Sequence, residues 1–111
     1  MKIFISGEIT PQNYPQEYPR FKATEYRLTQ LGYDVVNPLN HISQYTTRVD
    51  AFKTRLMLMM DCGALFQMAN WSSQDEARSE FELAVKLSFK ILAEGDLQHF
   101  EKTLLNTRLY V

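Results

Sequence analysis

An α/β fold with a four- or five-stranded, mainly parallel sheet flanked by helices is predicted by three features of the sequence. Short runs of β-branched and aromatic residues recur with no polar interruption, which is how strands buried on both faces of a parallel sheet read. Amphipathic segments long enough to serve as crossover helices separate them. The 111 residues, 45% apolar and 23% charged, suffice for one compact core, and a single domain over 1–111 is expected.

Taken in order, Ile3-Phe4-Ile5 is the first strand. Gly7 to Pro19 holds three of the four prolines and is expected to be a loop, because neither ladder nor helix survives repeated loss of the N–H donor. Phe21, Thr24, Leu28 and Leu31 then recur at helical spacing, and Gly32 stands where a left-handed helix end is needed. Tyr33 to Val36 is a short strand stopped by Asn37-Pro38, and Pro38 to Tyr45 a second long loop. Asp50 to Met60 is a Met- and Leu-rich helix, Ala64 to Met68 the third strand, Ala69 to Ser73 a loop, Gln74 to Leu87 a helix and Phe89 to Ala93 the fourth strand. Glu94-Gly95-Asp96 reads as a turn, Leu97, Phe100 and Leu104 as one stripe of a last helix, and Leu109-Tyr110-Val111 as the candidate fifth strand.

Twelve Lys and Arg against thirteen Asp and Glu give a net charge of −1, with no electrostatic footprint for nucleic acid or an anionic membrane. The apolar run at the start is too short for a signal peptide or a membrane span, and the lone Cys62 fits a reducing setting, so a cytoplasmic location is expected. The four glycines are dispersed, which removes dinucleotide-binding and P-loop readings. His41 and His99 have no metal-ligand spacing around them, Cys62 and the methionines read as core filler, and neither metal nor cofactor is expected.

Parallel sheets bind ligands beyond the carboxyl ends of their strands, so any site belongs to the loops at 7–19, 38–45 and 69–73. Asn70, Trp71, Ser72 and Ser73 place an amide, an aromatic face and two hydroxyls before a helix N-terminus, suited to stacking a base or holding an anion; Trp71 as a buried core residue is the rival. Ser73-Gln74-Asp75-Glu76 matches a capping box, with Ser73 and Glu76 bonding reciprocally to each other's amides. Ala77, Phe81, Ala84, Val85 and Leu87 define the packed stripe of that helix, and Glu80 lies on or beside it, while Arg78, Glu82 and Lys86 form an ordinary solvated face. With Glu76 one turn earlier, repulsion raises at least one of the two carboxyls, which suits acid, base or nucleophile work. The rival is that Glu76 serves the capping box and Glu80 tilts into solvent. Relief of that repulsion predicts that Glu80→Gln leaves thermal stability unchanged or slightly higher.

The segments Lys2-Ile3-Phe4-Ile5-Ser6-Gly7 and Leu31-Gly32-Tyr33-Asp34-Val35-Val36-Asn37-Pro38, with Cys62 before the third strand and then Trp71, Ala77-Arg78, Glu80 and Ala84, together resemble the nucleoside 2-deoxyribosyltransferase-like superfamily over residues 1 to 93. The resemblance is closest to a small, often phage-encoded branch. It implies a flavodoxin-like sandwich and an N-glycosidase or deoxyribosyltransferase acting on a deoxynucleoside or its monophosphate. Glu80 would be the nucleophile at the anomeric carbon, a carboxylate being suited to an oxocarbenium-like transition state. Gly7 and Glu8 in the first loop, Tyr14, Tyr18 and Trp71 against the base, and Asn70, Ser73, Glu76 and Arg78 around them complete the expected binding residues.

Two departures favour a different class of function. Glu76 stands where the superfamily has glycine, and Gly63 where it has an aspartate. The alternative is a catalytically silent nucleotide-binding or protein-interaction module, such as a phage-encoded regulator or inhibitor of a host system. In either case the superfamily's habit of sharing sites between subunits, with the apolar excess of the Met-rich helix, implies a homodimer or higher homo-oligomer.

Overall fold

The computed structural model describes residues 1–109. The elements run β1 (Lys2–Ser6), α1 (Tyr14–Gln30), β2 (Asp34–Val36), α2 (Arg48–Met59), β3 (Ala64–Gln67), α3 (Asp75–Lys86), β4 (Lys90–Ala93) and α4 (Glu94–Leu109), with 3-10 turns at Pro38–Asn40 and Trp71–Ser73. Among the described residues the sheet has four strands in the order β2-β1-β3-β4, and every pairing is parallel. Ile3 lies opposite both Val35 and Ala64, and Leu65 opposite Ile91.

Alternation along the strands sorts the core into two layers. Ile3, Ile5, Phe66 and Leu92 face α1 and α4 and meet Phe21, Leu28 and Leu97. Phe4 and Leu65 face the other way, onto Met59 of α2 and Ala84 of α3. The chain leaves β1 toward β2 on one side and returns past it to β3 on the other. The loops after β1 and β3 therefore lead to helices on opposite faces of the sheet, and ligands bind beside such a reversal in folds of this topology.

Several boundaries differ from the sequence expectation. The proline-rich segment is a loop only to Asn13, and Tyr14 to Pro19 already belong to α1. The Asn13 side chain accepts from the Thr10 amide (2.7 Å) while the Thr10 hydroxyl accepts from the Asn13 amide (3.0 Å), which sets the helix start; Pro15 then falls in the first turn, where no N–H is needed. Pro19 removes one bond in the next turn, and the buried Glu17, Phe21, Thr24 and Leu28 hold the helix across it. Glu94-Gly95-Asp96 is the first turn of α4 rather than a separate turn, because the Asp96 carboxylate accepts from the Ala93 amide and both acids favour a helix N-terminus. Of the proposed fifth strand, Leu109 ends α4, and Tyr110 and Val111 lie outside the described residues. Gly32 adopts φ +92°, the left-handed conformation expected after α1. Among the described residues no helix is long and apolar enough to cross a membrane.

Candidate functional site

The crevice above β1 and β3 is a cavity of about 360 Å³. Glu8 to Gln12 from the first loop, Ile42 to Gln44 and Thr46 from the second, Arg48 and Arg55 from α2, and Ser73 to Glu76 from the start of α3 form its walls. Tyr14 and Phe52 add aromatic surface.

An ion pair lies beneath it. Arg55, on the inward stripe of α2 one turn before Met59, is 2% exposed, and Glu80, in the middle of α3, is fully buried. The guanidinium grips the carboxylate with both edges: Arg55 Nε donates to Glu80 Oε2 at 2.6 Å and Nη2 to Oε1 at 2.8 Å. Ser6, the last residue of β1, donates its hydroxyl to Glu80 Oε1 at 2.6 Å. Arg55 reaches further, donating to the Gly7 carbonyl (3.0 Å) and the Gln74 side-chain oxygen (3.0 Å). Burial pushes the Glu80 carboxyl up from its ordinary value, against the Arg55 guanidinium and the Ser6 hydroxyl, which hold it down. Both oxygens accept bonds from strong donors, the arrangement of an ionised carboxylate clamped by arginine.

The loops above are tied to one another by side-chain amides. Gln74 pairs with Ile9 in both directions, accepting from its N–H (3.1 Å) and donating to its carbonyl (2.6 Å). Asn70 accepts from the Glu8 amide (3.3 Å) and donates to the buried Glu17 of α1 (2.9 Å). Gly7 is required by close approach: a Cβ there would stand 2.8 Å from the Cβ of Met68.

Of the residues expected from the sequence, the cavity gathers Glu8, Tyr14, Ser73 and Glu76. The Tyr14 hydroxyl bonds to the Ile42 carbonyl (3.1 Å), and burial raises its phenol above the ordinary value. Glu76 pairs with Arg48, whose guanidinium lowers the carboxyl below its usual range against the opposing effect of burial, and its Oε2 is buried with no hydrogen-bond partner among the described residues. Gly7 and Glu80 lie under the cavity, held by Arg55. Asn70 ties the loops from behind. Three residues point elsewhere: Trp71 packs on Phe81 with ring centroids 4.9 Å apart, Tyr18 carries Lys22 over its exposed ring, and Arg78 binds Asp75 and the Ser72 carbonyl at the surface.

The capping box does not form. Gln74 is the residue before α3 and its side chain is held by Ile9 and Arg55, so the helix begins one residue later than the box requires. The Ser73 hydroxyl turns back to the Asn70 carbonyl (2.7 Å) and Glu76 goes to Arg48. Glu80 does not tilt into solvent either; it occupies the centre of the buried face with Ala77 and Ala84, while Val85 and Leu87, expected in the packed stripe, are exposed.

Sequence pattern did not pair Arg55 with Glu80, nor mark Gln74 and Ser6 as site residues. A signal for Arg55 exists: it stands four residues before Met59 in a helix whose apolar positions recur at that spacing, so its charge needs a buried partner. Gln74 and Ser6 carry no such mark.

Cys62 lies at the far end of β3, its thiol on the Leu58 carbonyl (3.4 Å), and burial pushes it up to about 11. Alkylation by iodoacetamide at pH 8 should run roughly two orders of magnitude slower than for a free thiol of ordinary pKa. Labelling at the free-thiol rate would contradict the buried environment.

No curated protein matches the chain. A family match takes in all four strands, α1, α2, α3 and every loop around the cavity. The chain belongs to the DUF4406 family, a domain of unknown function, whose model matches residues 1–93.

Proposed function

We propose that the chain binds a small nucleoside-class ligand in the crevice between β1 and β3, as a site without glycosyl-transfer chemistry. The observation that carries this reading is the cavity itself: at about 360 Å³ it sits at the lower end of the range for small-ligand pockets and at the switch point where folds of this topology bind ligands. Tyr14, Phe52, Ile9 and Ile42 offer a surface for a flat ring, and Glu8, Ser73 and Glu76 offer polar groups beside it. The resemblance to the nucleoside deoxyribosyltransferase-like superfamily supports the ligand class.

The burial of Glu80 argues against catalysis in this conformation. A glycosyl nucleophile has to bring a free oxygen to within about 3 Å of the anomeric carbon. Both Glu80 oxygens are engaged by Arg55, and the residue is fully buried. The enzymatic reading has one observation in its favour: Arg55, which covers Glu80, also lines the cavity, so a single guanidinium separates carboxylate from ligand space. Exposed Val49 and Met57 on α2, with Met60 just after it, support the homodimer or higher assembly expected from the sequence.

Titration calorimetry with a panel of deoxynucleosides and their monophosphates, with chromatography of the same mixtures for free base, tests both readings. Saturable binding is expected, lost in Gln12→Trp, which puts a large ring at the exposed rim of the cavity without touching the core. No free base is expected. Absence of binding across the panel at millimolar ligand overturns the proposal, and base release at stoichiometric protein replaces it with the enzymatic reading.

A further inference from the structure

We infer that the cavity selects against anions and takes an uncharged, hydroxyl- or amino-bearing ligand, the nucleoside in preference to its phosphorylated form, with Glu8 as the specificity determinant. The inference rests on the proposed ligand site and specifies the ligand it admits.

A phosphate in a parallel sheet of this kind is held by free backbone amides after the first strand, by the N-terminus of the following helix, or by cations aimed into the site. The amides after the first strand and those opening α1 are engaged here, and the start of α3 carries acidic side chains. The three successive amides after Gly7 are closed by side chains: Glu8 N–H by Asn70, Ile9 N–H by Gln74, and Thr10 N–H by Asn13. In the first turn of α1, the Tyr14 amide bonds to the Thr10 carbonyl and the Gln16 and Glu17 amides to the Asn13 carbonyl, while Pro15 has no N–H. The N-terminus of α3 carries Asp75 and Glu76, so its dipole is met by the protein's own carboxylates.

Of the cations, Arg55 is locked in the core, and the exposed Arg48 is paired through Nε alone among the described residues. Three carboxylates (Glu8, Asp75, Glu76) and two guanidiniums (Arg48, Arg55) line the cavity, one negative charge in excess before the buried Glu80 is added. Arg48 is paired with Glu76, and Arg55 places four N–H contacts on Glu80, Gly7 and Gln74. The walls instead present an acceptor, the half-buried Glu8 carboxylate, which takes only the Ser73 hydroxyl (3.2 Å) among the described residues. An acceptor calls for a ligand that donates, as sugar hydroxyls and exocyclic amines do, and an incoming phosphate would face carboxylates.

The test is calorimetric binding of the four deoxynucleosides and their four 5′-monophosphates as matched pairs to the full chain at low ionic strength, repeated with Glu8→Gln. The substitution keeps the shape and hydrogen-bonding reach of a half-buried loop side chain, and a thermal melt checks that the variant is folded. At least one nucleoside should bind tenfold or more tightly than its monophosphate, and the ratio should narrow several-fold both in Glu8→Gln and when salt is raised. A monophosphate that binds as tightly as its nucleoside, or a ratio unmoved by Glu8→Gln, overturns the selectivity while leaving the ligand site standing. Failure of all eight compounds to bind overturns the ligand site and the selectivity together.

Discussion

Arg55→Ala should destabilise the fold by about 3–5 kcal/mol, because truncation leaves the fully buried Glu80 carboxylate without its counter-ion. Urea denaturation of the wild type and the variant measures it, and a loss under about 1 kcal/mol, the range of an exposed pair, would mean that the pair is solvated in solution. The double substitution Arg55→Met with Glu80→Leu, which removes both charges, should recover much of the loss, since apolar replacement of a buried pair is often neutral. The same geometry reverses the expectation for Glu80→Gln. Sequence spacing sets Glu80 against Glu76, so removing a charge relieves repulsion. In the fold, Glu76 is answered by Arg48 and Glu80 by Arg55, and Gln at 80 strands a buried guanidinium. Lower stability, not higher, is the expected outcome.

Gly7→Ala should cost about 1–3 kcal/mol, the usual penalty for overpacking a filled interior. A Cβ at this position would lie 2.8 Å from Met68 Cβ and 3.1 Å from the ring of Phe21, and Met68 Cβ cannot swing away because it is fixed to the backbone that follows β3. Relief requires β1 and β3 to part at their carboxyl ends, which also moves the Gly7 carbonyl away from Arg55. Comparison with Gly95→Ala controls for the unfolded state: that glycine has open space where a Cβ would go and lies inside α4, so the change there should be neutral or stabilising. Equal melting temperatures for the wild type and Gly7→Ala would show that the strand ends yield freely.

The parallel sheet, its flanking helices and the location of the cavity were legible in the sequence, since each depends on short-range pattern. Ile3, Phe4 and Ile5 form an uninterrupted apolar run that only a strand covered on both faces can bury, and Gly32 marks the one described glycine with left-handed backbone. Glu80 was legible as a carboxylate on an apolar helix face, because i, i+3 and i+4 periodicity reads a single helix correctly. Its partner was not, for Arg55 is 25 residues away on another helix and nothing local links the two. The first turns of α1 and α3 failed for a related reason. Whether Tyr14 to Pro19 is loop or helix depends on the exchange of bonds between Thr10 and Asn13 and on the packing of Glu17 and Phe21, and whether Ser73 and Glu76 form a capping box depends on competition from Ile9, Arg55, Asn70 and Arg48. Hydrophobic periodicity is a property of one segment and decides the type and order of elements. Hydrogen bonds and ion pairs of a polar side chain are decided among all the donors and acceptors that the fold brings within reach, so the tertiary structure alone determined which carboxylate faces the cavity and which is locked beneath it.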